Sequence, residues 1–111
     1  MESRLITSTG SFPSTDNRYV VTVTIENHIV FYEIRGADAA VPLAKGRVGS
    51  AFHKFFLIWD EKNNLWIDGE DTNRVIFFEK GRFREHDKTV ADYKDPNFPK
   101  PPAEWHGPNH R

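Results

Sequence analysis

There is no cysteine in the 111 residues and only one methionine. The first absence excludes disulfides, thiolate zinc sites and iron–sulfur clusters, and it leaves a core that must close without covalent staples. It fits a reducing compartment, so the default expectation is cytoplasmic; an exported chain with its signal already removed would read the same. Apolar residues make up only 38% of the chain. No apolar run approaches the ~20 residues of a membrane helix, so no membrane partner is expected. Charge of one sign is lacking too, with 15 basic against 16 acidic residues. That balance argues against nucleic acid, whose binding rests on a basic field over many phosphates. No nucleophile motif, phosphate-binding glycine loop or paired-carboxylate pattern occurs, so neither a catalytic residue nor a cofactor is expected.

What the chain has is rings: three Trp, three Tyr and nine Phe. Each buries roughly 150–250 Å² on entering a core, which lets a chain of one-domain length close a single core. The centre of the chain is residues 55–78, FFLIWDEKNNLWIDGEDTNRVIFF. Three apolar runs, 55–59, 65–67 and 75–78, alternate with two loops of Asp, Asn and Gly. The runs are too short for helices and rich in strand-forming types, so the stretch reads as a three-stranded antiparallel meander. Five consecutive apolar residues at 55–59 suggest a central strand covered on both faces. A four-residue loop at 61–64 would set Trp59 opposite Trp66 and Leu57 opposite Asp68. Beyond the meander, Lys80-Gly81 can turn the chain into a charged edge strand at 82–85, with Phe83 opposite Phe78.

Before the meander, residues 18–26 alternate, with Tyr19, Val21, Val23 and Ile25 on one side and Thr22, Thr24 and Glu26 on the other. Asn27-His28 then separates them from a second strand at 29–35. A two-residue turn there pairs Ile25 with Val30, Val23 with Tyr32 and Val21 with Ile34; a slip by one residue would set Val and Ile against Glu33 and Arg35. Residues 4–8 read as an edge strand followed by a loop anchored by Phe12, and residues 36–50 as a long connection in which Val41 and Leu43 form at most a short strand. Five of the seven prolines fall after Asp95. After one helical turn at 89–93, the end of the chain therefore reads as an extended strap, with Phe98 and Trp105 as anchors.

The fold expected is all-β: a small antiparallel sandwich or partly open barrel of six to seven strands with a proline-rich C-terminal strap. Residues 1–86 form the β-domain, and residues 87–111 an extension packed on it or trailing from it. Asp68, Glu70, Asp71 and Asn73 could ligate calcium, but their spacing is not that of an EF-hand, and a solvated turn is the plainer reading. His106 and His110 are four apart but interrupted by Gly107 and Pro108, while His28 and His53 lie in turns, so no metal site is expected. Trp59, Trp66 and Phe77 are the candidate binding residues, because exposed rings concentrate binding energy; core filling is the competing account. The run Asp60-Glu61-Lys62-Asn63-Asn64-Leu65-Trp66-Ile67, followed by Asn73-Arg74-Val75-Ile76-Phe77-Phe78, resembles one NHL-type β-propeller repeat. In that family a short Asp-to-Asn turn precedes one strand and an Asn-Arg-Val step opens the next. The resemblance spans about twenty residues, Asp68-Gly69 departs from it, and no second copy appears, whereas such repeats need neighbours. It implies local hairpins and no function. The functional expectation is a non-enzymatic β-domain that binds a protein partner or itself through a strand edge or an aromatic face. The alternative is a small barrel enzyme or ligand-binding protein with an aromatic-lined pocket.

Overall fold

The alternating segments form a hairpin in the expected register. β2 (Tyr19–Glu26) and β3 (Ile29–Gly36) pair antiparallel with Val21 opposite Ile34, Val23 opposite Tyr32 and Ile25 opposite Val30. Val21, Val23, Val30, Tyr32 and Ile34 are buried on one face, while Ile25 projects past the core at 48% exposure. Asn27 and His28 both have positive φ, 51° and 66°, as the two central residues of a type I′ turn require. This computed structural model describes residues 4–69, 72–103 and 105.

Two further strands complete a sheet of order β1-β2-β3-β4. β1 (Gly10–Pro13) pairs with β2 and occupies part of the expected loop, with Phe12 packed against the core. The expected strand around residues 4–8 reduces to a single bridge, in which Ile6 exchanges backbone bonds of 2.7 and 2.9 Å with Leu57. β4 (Pro42–Ser50) corrects the reading of residues 36–50 as mainly a connection. Its pairing with β3 slips at Val48 and at Leu43. Its inward positions include Ala44, Gly46 and Val48, and Tyr32 lies over Gly46, where a Cβ would stand 2.9 Å from the ring.

The second sheet has order β5-β6-β7-β8: β5 (Phe55–Trp59), β6 (Leu65–Gly69), β7 (Thr72–Glu79) and β8 (Arg82–Asp87). Among the described residues there are therefore eight strands in two antiparallel sheets that do not close into a barrel, against the six or seven expected. By pairing, β5 is an edge strand rather than a central one, although it is covered on both faces. The β5–β6 register also differs from expectation, with Trp59 opposite Leu65 and Leu57 opposite Ile67. The cause is Asp60. Its amide donates to Asn64 O, and its carboxylate accepts from the amides of Lys62 and Asn64, the Asn64 side chain and the Trp66 indole, all at 2.8–3.0 Å. Five residues, 60–64, thus close the loop instead of four.

The inner faces of the sheets share one core, in which Val21, Val30, Ile34, Leu57, Leu65 and Ile67 have no exposed surface. Gly69 marks the closest approach, since a Cβ there would lie 2.6 Å from Val48 O on β4. Arg74, buried at the core's end, donates to the carbonyls of Arg47 and Val48 and pairs with Glu85 at 3.3 Å. Glu85 also accepts the Tyr32 hydroxyl at 3.0 Å. A charge buried this far is tolerated because it is bonded on several sides, and the trio ties β3, β4, β7 and β8 together. Burial, reinforced by the Glu85 charge, holds the Tyr32 phenol far above its ordinary value.

Candidate functional site

A two-sheet fold has two outer faces, and here they are treated differently. On the outer face of β5–β8, a second apolar cluster gathers Ile58, Trp66 and Val75, with Phe56 and Phe77 at its margin. The C-terminal segment crosses it. Lys88 N–H donates to Asn73 O at 2.9 Å, and the chain then enters α1 (Val90–Lys94), which is capped by Thr89 and Asp92 in a reciprocal capping box. Asp95 turns it back, accepting from Asn97 N and Phe98 N at 2.9 and 3.2 Å. Phe98 then stands edge-on to Trp66 and Phe77, at 6.4 and 6.0 Å between ring centres, and Trp105 is buried 6.4 Å from Trp66. Two large rings have left water, which is the force that seats the segment.

The perturbed titratable groups outside the core gather mostly at this face. Asp68, on the same side of β6 as Trp66, is 3% exposed, and its Oδ2 has no hydrogen-bond partner among the described residues. Burial pushes its carboxyl up to about 6, against the pull of Lys88. Desolvation in turn holds the Lys88 ammonium below its ordinary value, against Asp92 and Asp68. That ammonium sits 5.3 Å from the Trp66 ring centre and 5.7 Å from that of Phe98, a cation–π seat. His86 Nε2 lies 3.0 Å from Asp92 Oδ2. The Thr89 amide first, and His86 next, keep the Asp92 carboxyl low.

The outer face of β1–β4 carries a different arrangement. A shallow depression of about 520 Å³ lies across β2, β3 and β4, lined by Thr22 and Thr24, Phe31 and Glu33, and Lys45 and Arg47. The strand register sets them in two rows, Thr22–Glu33–Lys45 and Thr24–Phe31–Arg47. Ser11 and Thr22 share a hydroxyl bond of 3.0 Å, and Glu33 pairs with Arg35. A half-buried aromatic ring thus lies among hydroxyls and charged groups, with no segment drawn across it among the lining residues.

The three candidate rings do not form one site. Trp59 faces the inner core at 4% exposure, its indole N–H donating to Phe12 O at 3.1 Å. Trp66 is fully enclosed on the opposite side of the sheet, while Phe77 is half-buried beside it, with the Arg84 guanidinium 5.3 Å from its ring centre. Phe31 escaped notice, although the hairpin register alone sets it opposite Thr24 on the outward row. Glu70, Asp71, His106 and His110 lie outside the described residues. Among the described residues no group of three or more His, Asp or Glu side chains could hold a metal ion, and no helix is long and apolar enough to cross a membrane. No family model, curated protein or solved structure matches the chain. Within the propeller-like stretch, the Asp60 loop is closed by local bonds, whereas Arg74 reaches across to the carbonyls of Arg47 and Val48 on β4.

Proposed function

We propose that this protein is a non-enzymatic binding module built on a two-sheet sandwich, and that it holds its ligand on the outer face of β2–β4. The observation carrying this reading is the asymmetry of the two outer faces. One is sealed by Phe98 and Trp105; the other presents Phe31 among hydroxyls and charges in an open depression. A ring flanked by donors supplies both the apolar area and the orienting polar contacts that recognition sites combine. Thr22, Thr24, Lys45 and Arg47 favour a ligand rich in oxygen acceptors. The filled interior, with core side chains at or near zero exposure, supports a surface module over an internal aromatic pocket.

A photo-cross-linking residue in place of Thr24 tests this in extracts of the source cells. A discrete adduct is expected, and Phe31→Ser should abolish it without changing the melting temperature. Equal adducts from Thr24 and from the exposed control position Glu61, or an adduct indifferent to Phe31→Ser, would refute the reading.

A further inference from the structure

The strap is held by side chains rather than by its backbone. Among the described residues, the last backbone bond from this segment to a sheet is Lys88 N–H to Asn73 O. Beyond it the backbone bonds are local: Asp95 to Asp92, Phe98 to Asp95 and Trp105 to Pro102. A groove of about 430 Å³ also separates the strap from the α1 segment, bordered by Lys88, Asp92, Phe98 and Trp105. The seat beneath belongs to the sheet itself. Trp66, Val75 and Ile58 are fixed by β-pairing, and the Trp66 indole is held by Asp60 at 3.0 Å. A preformed apolar seat, a proline-bearing turn at Asp95-Pro96 and a segment whose described ring contacts with the seat are those of Phe98 and Trp105 are together the ingredients of segment exchange.

We propose that the outer face of β5–β7 is an interaction surface for the proline-rich strap of a second copy of this chain, with the intramolecular strap as its resident competitor. The occupant is identified by what already fits: residues 95–105 carry Phe98 and Trp105 at the separation the seat accepts, and prolines keep the chain extended at little entropic cost. Reciprocal exchange makes each copy donate and receive the same segment, which closes a two-fold dimer. The tether sets the balance. A short linker gives the strap an effective concentration on the order of millimolar at its own seat, so exchange is confined to concentrated protein or to chains whose cis contact is weakened.

Complementation between full-length chains tests the proposal. One chain carries Phe98→Ala and Trp105→Ala, keeping the seat and losing the anchors. The other carries Phe77→Ser, impairing the seat and keeping the anchors. Each alone should run as a monomer of 12.9 kDa, and an equimolar mixture should yield a 1:1 heterodimer by native mass spectrometry. Since losing two buried rings can unfold a chain, a third variant keeps every side chain and lengthens the hinge by about six Gly/Ser residues between Asp95 and Pro96. It should bind a fluorescent peptide of residues 95–105 roughly tenfold more tightly than the unmodified chain does, and a peptide with Ala at the two anchor positions should not bind. A heterodimer in the mixture, or peptide binding gained by the lengthened chain, bears the proposal out. Monomers throughout with no gain in peptide binding overturn it, as does equal binding of the reversed-sequence peptide. The Phe31 depression lies on the other sheet, so these outcomes are independent of the proposed function.

Discussion

Replacing Asp68 by Asn should stabilise the protein at neutral pH. The carboxylate is buried on the strap side of β6, one of its oxygens has no hydrogen-bond partner among the described residues, and burial lifts its carboxyl from 3.8 to about 6. Each unit of that difference corresponds to about 1.4 kcal/mol, so keeping the group ionised in the folded state costs about 3 kcal/mol at pH 7. The attraction to Lys88 is already contained in that figure. Asparagine resembles the protonated acid in size and carries no charge, so it should recover most of the cost, less whatever its amide loses by lacking an acceptor. A net gain of about 2 kcal/mol corresponds to roughly 8 °C in a chain of this length.

The pH dependence supplies the sharper check. The folded state holds this proton to higher pH than the unfolded chain does. Unfolding between about pH 4 and 6 therefore releases protons, and the Asp68 contribution makes stability fall as pH rises through that window. The difference between Asp68→Asn and the unmodified chain should be near zero at pH 4 and reach its full size by pH 7. Thermal melts followed by circular dichroism at the two ends of the range suffice. An Asn variant that is less stable at pH 7 would sink the reasoning, because it would mean the carboxylate has a strong partner at that site.

Three other perturbations have definite expected outcomes. Asp60→Ala removes the acceptor of four hydrogen bonds and strands the Trp66 indole; urea denaturation should show a loss of about 3 kcal/mol, and a loss below ~1 kcal/mol would mean the loop closes without it. Gly69→Ala drives a Cβ against Val48 O, a backbone atom, whereas Gly46→Ala presses on the Tyr32 ring. The first should cost more than ~2 kcal/mol and the second less, since a side chain yields where a strand cannot; the reverse order would disprove the sheet-to-sheet approach. Tyr32→Phe deletes the hydroxyl bond to Glu85, which keeps Arg74, so the expected loss is about 1–2 kcal/mol without a change in the denaturant slope.

What the sequence discloses is what depends on neighbours along the chain. Residues 19–36 were legible because alternation and a two-residue turn over-determine the register. β4 was not, because its Gly46 makes room for the Tyr32 ring and its Val48 carbonyl meets Gly69, both reasons located elsewhere in the chain. The β5–β6 register missed by one residue because a single carboxylate, Asp60, chooses the loop length. Phe31 could have been placed by extending the hairpin argument to its outward row. The electrostatic influence of Lys88 on Asp68 could not, since it depends on where the chain goes after β8.

The two faces of the β5–β8 sheet differ in how consistently they are built, and that difference bears on the strap. Inward, apolar side chains meet with little exposed surface, and Arg74, a buried cation, is bonded to two carbonyls and a carboxylate. Outward, β6 carries a buried carboxylate whose Oδ2 has no hydrogen-bond partner among the described residues, and Lys88, just past β8, holds a desolvated ammonium over two rings. Burying this charge costs stability that an apolar residue at the position would not, even with Lys88 offsetting part of it. On the exchange proposed above, that cost would weaken the strap's hold on its own seat. Asp68→Asn should therefore do more than raise stability. It should also lower the exchange of the strap, so that the hinge-lengthened chain carrying it binds the 95–105 peptide in trans less readily at low peptide concentration, its own strap being better seated. If the substitution leaves that competition unchanged at pH 7, the cost of Asp68 falls on the sheet and not on the strap contact.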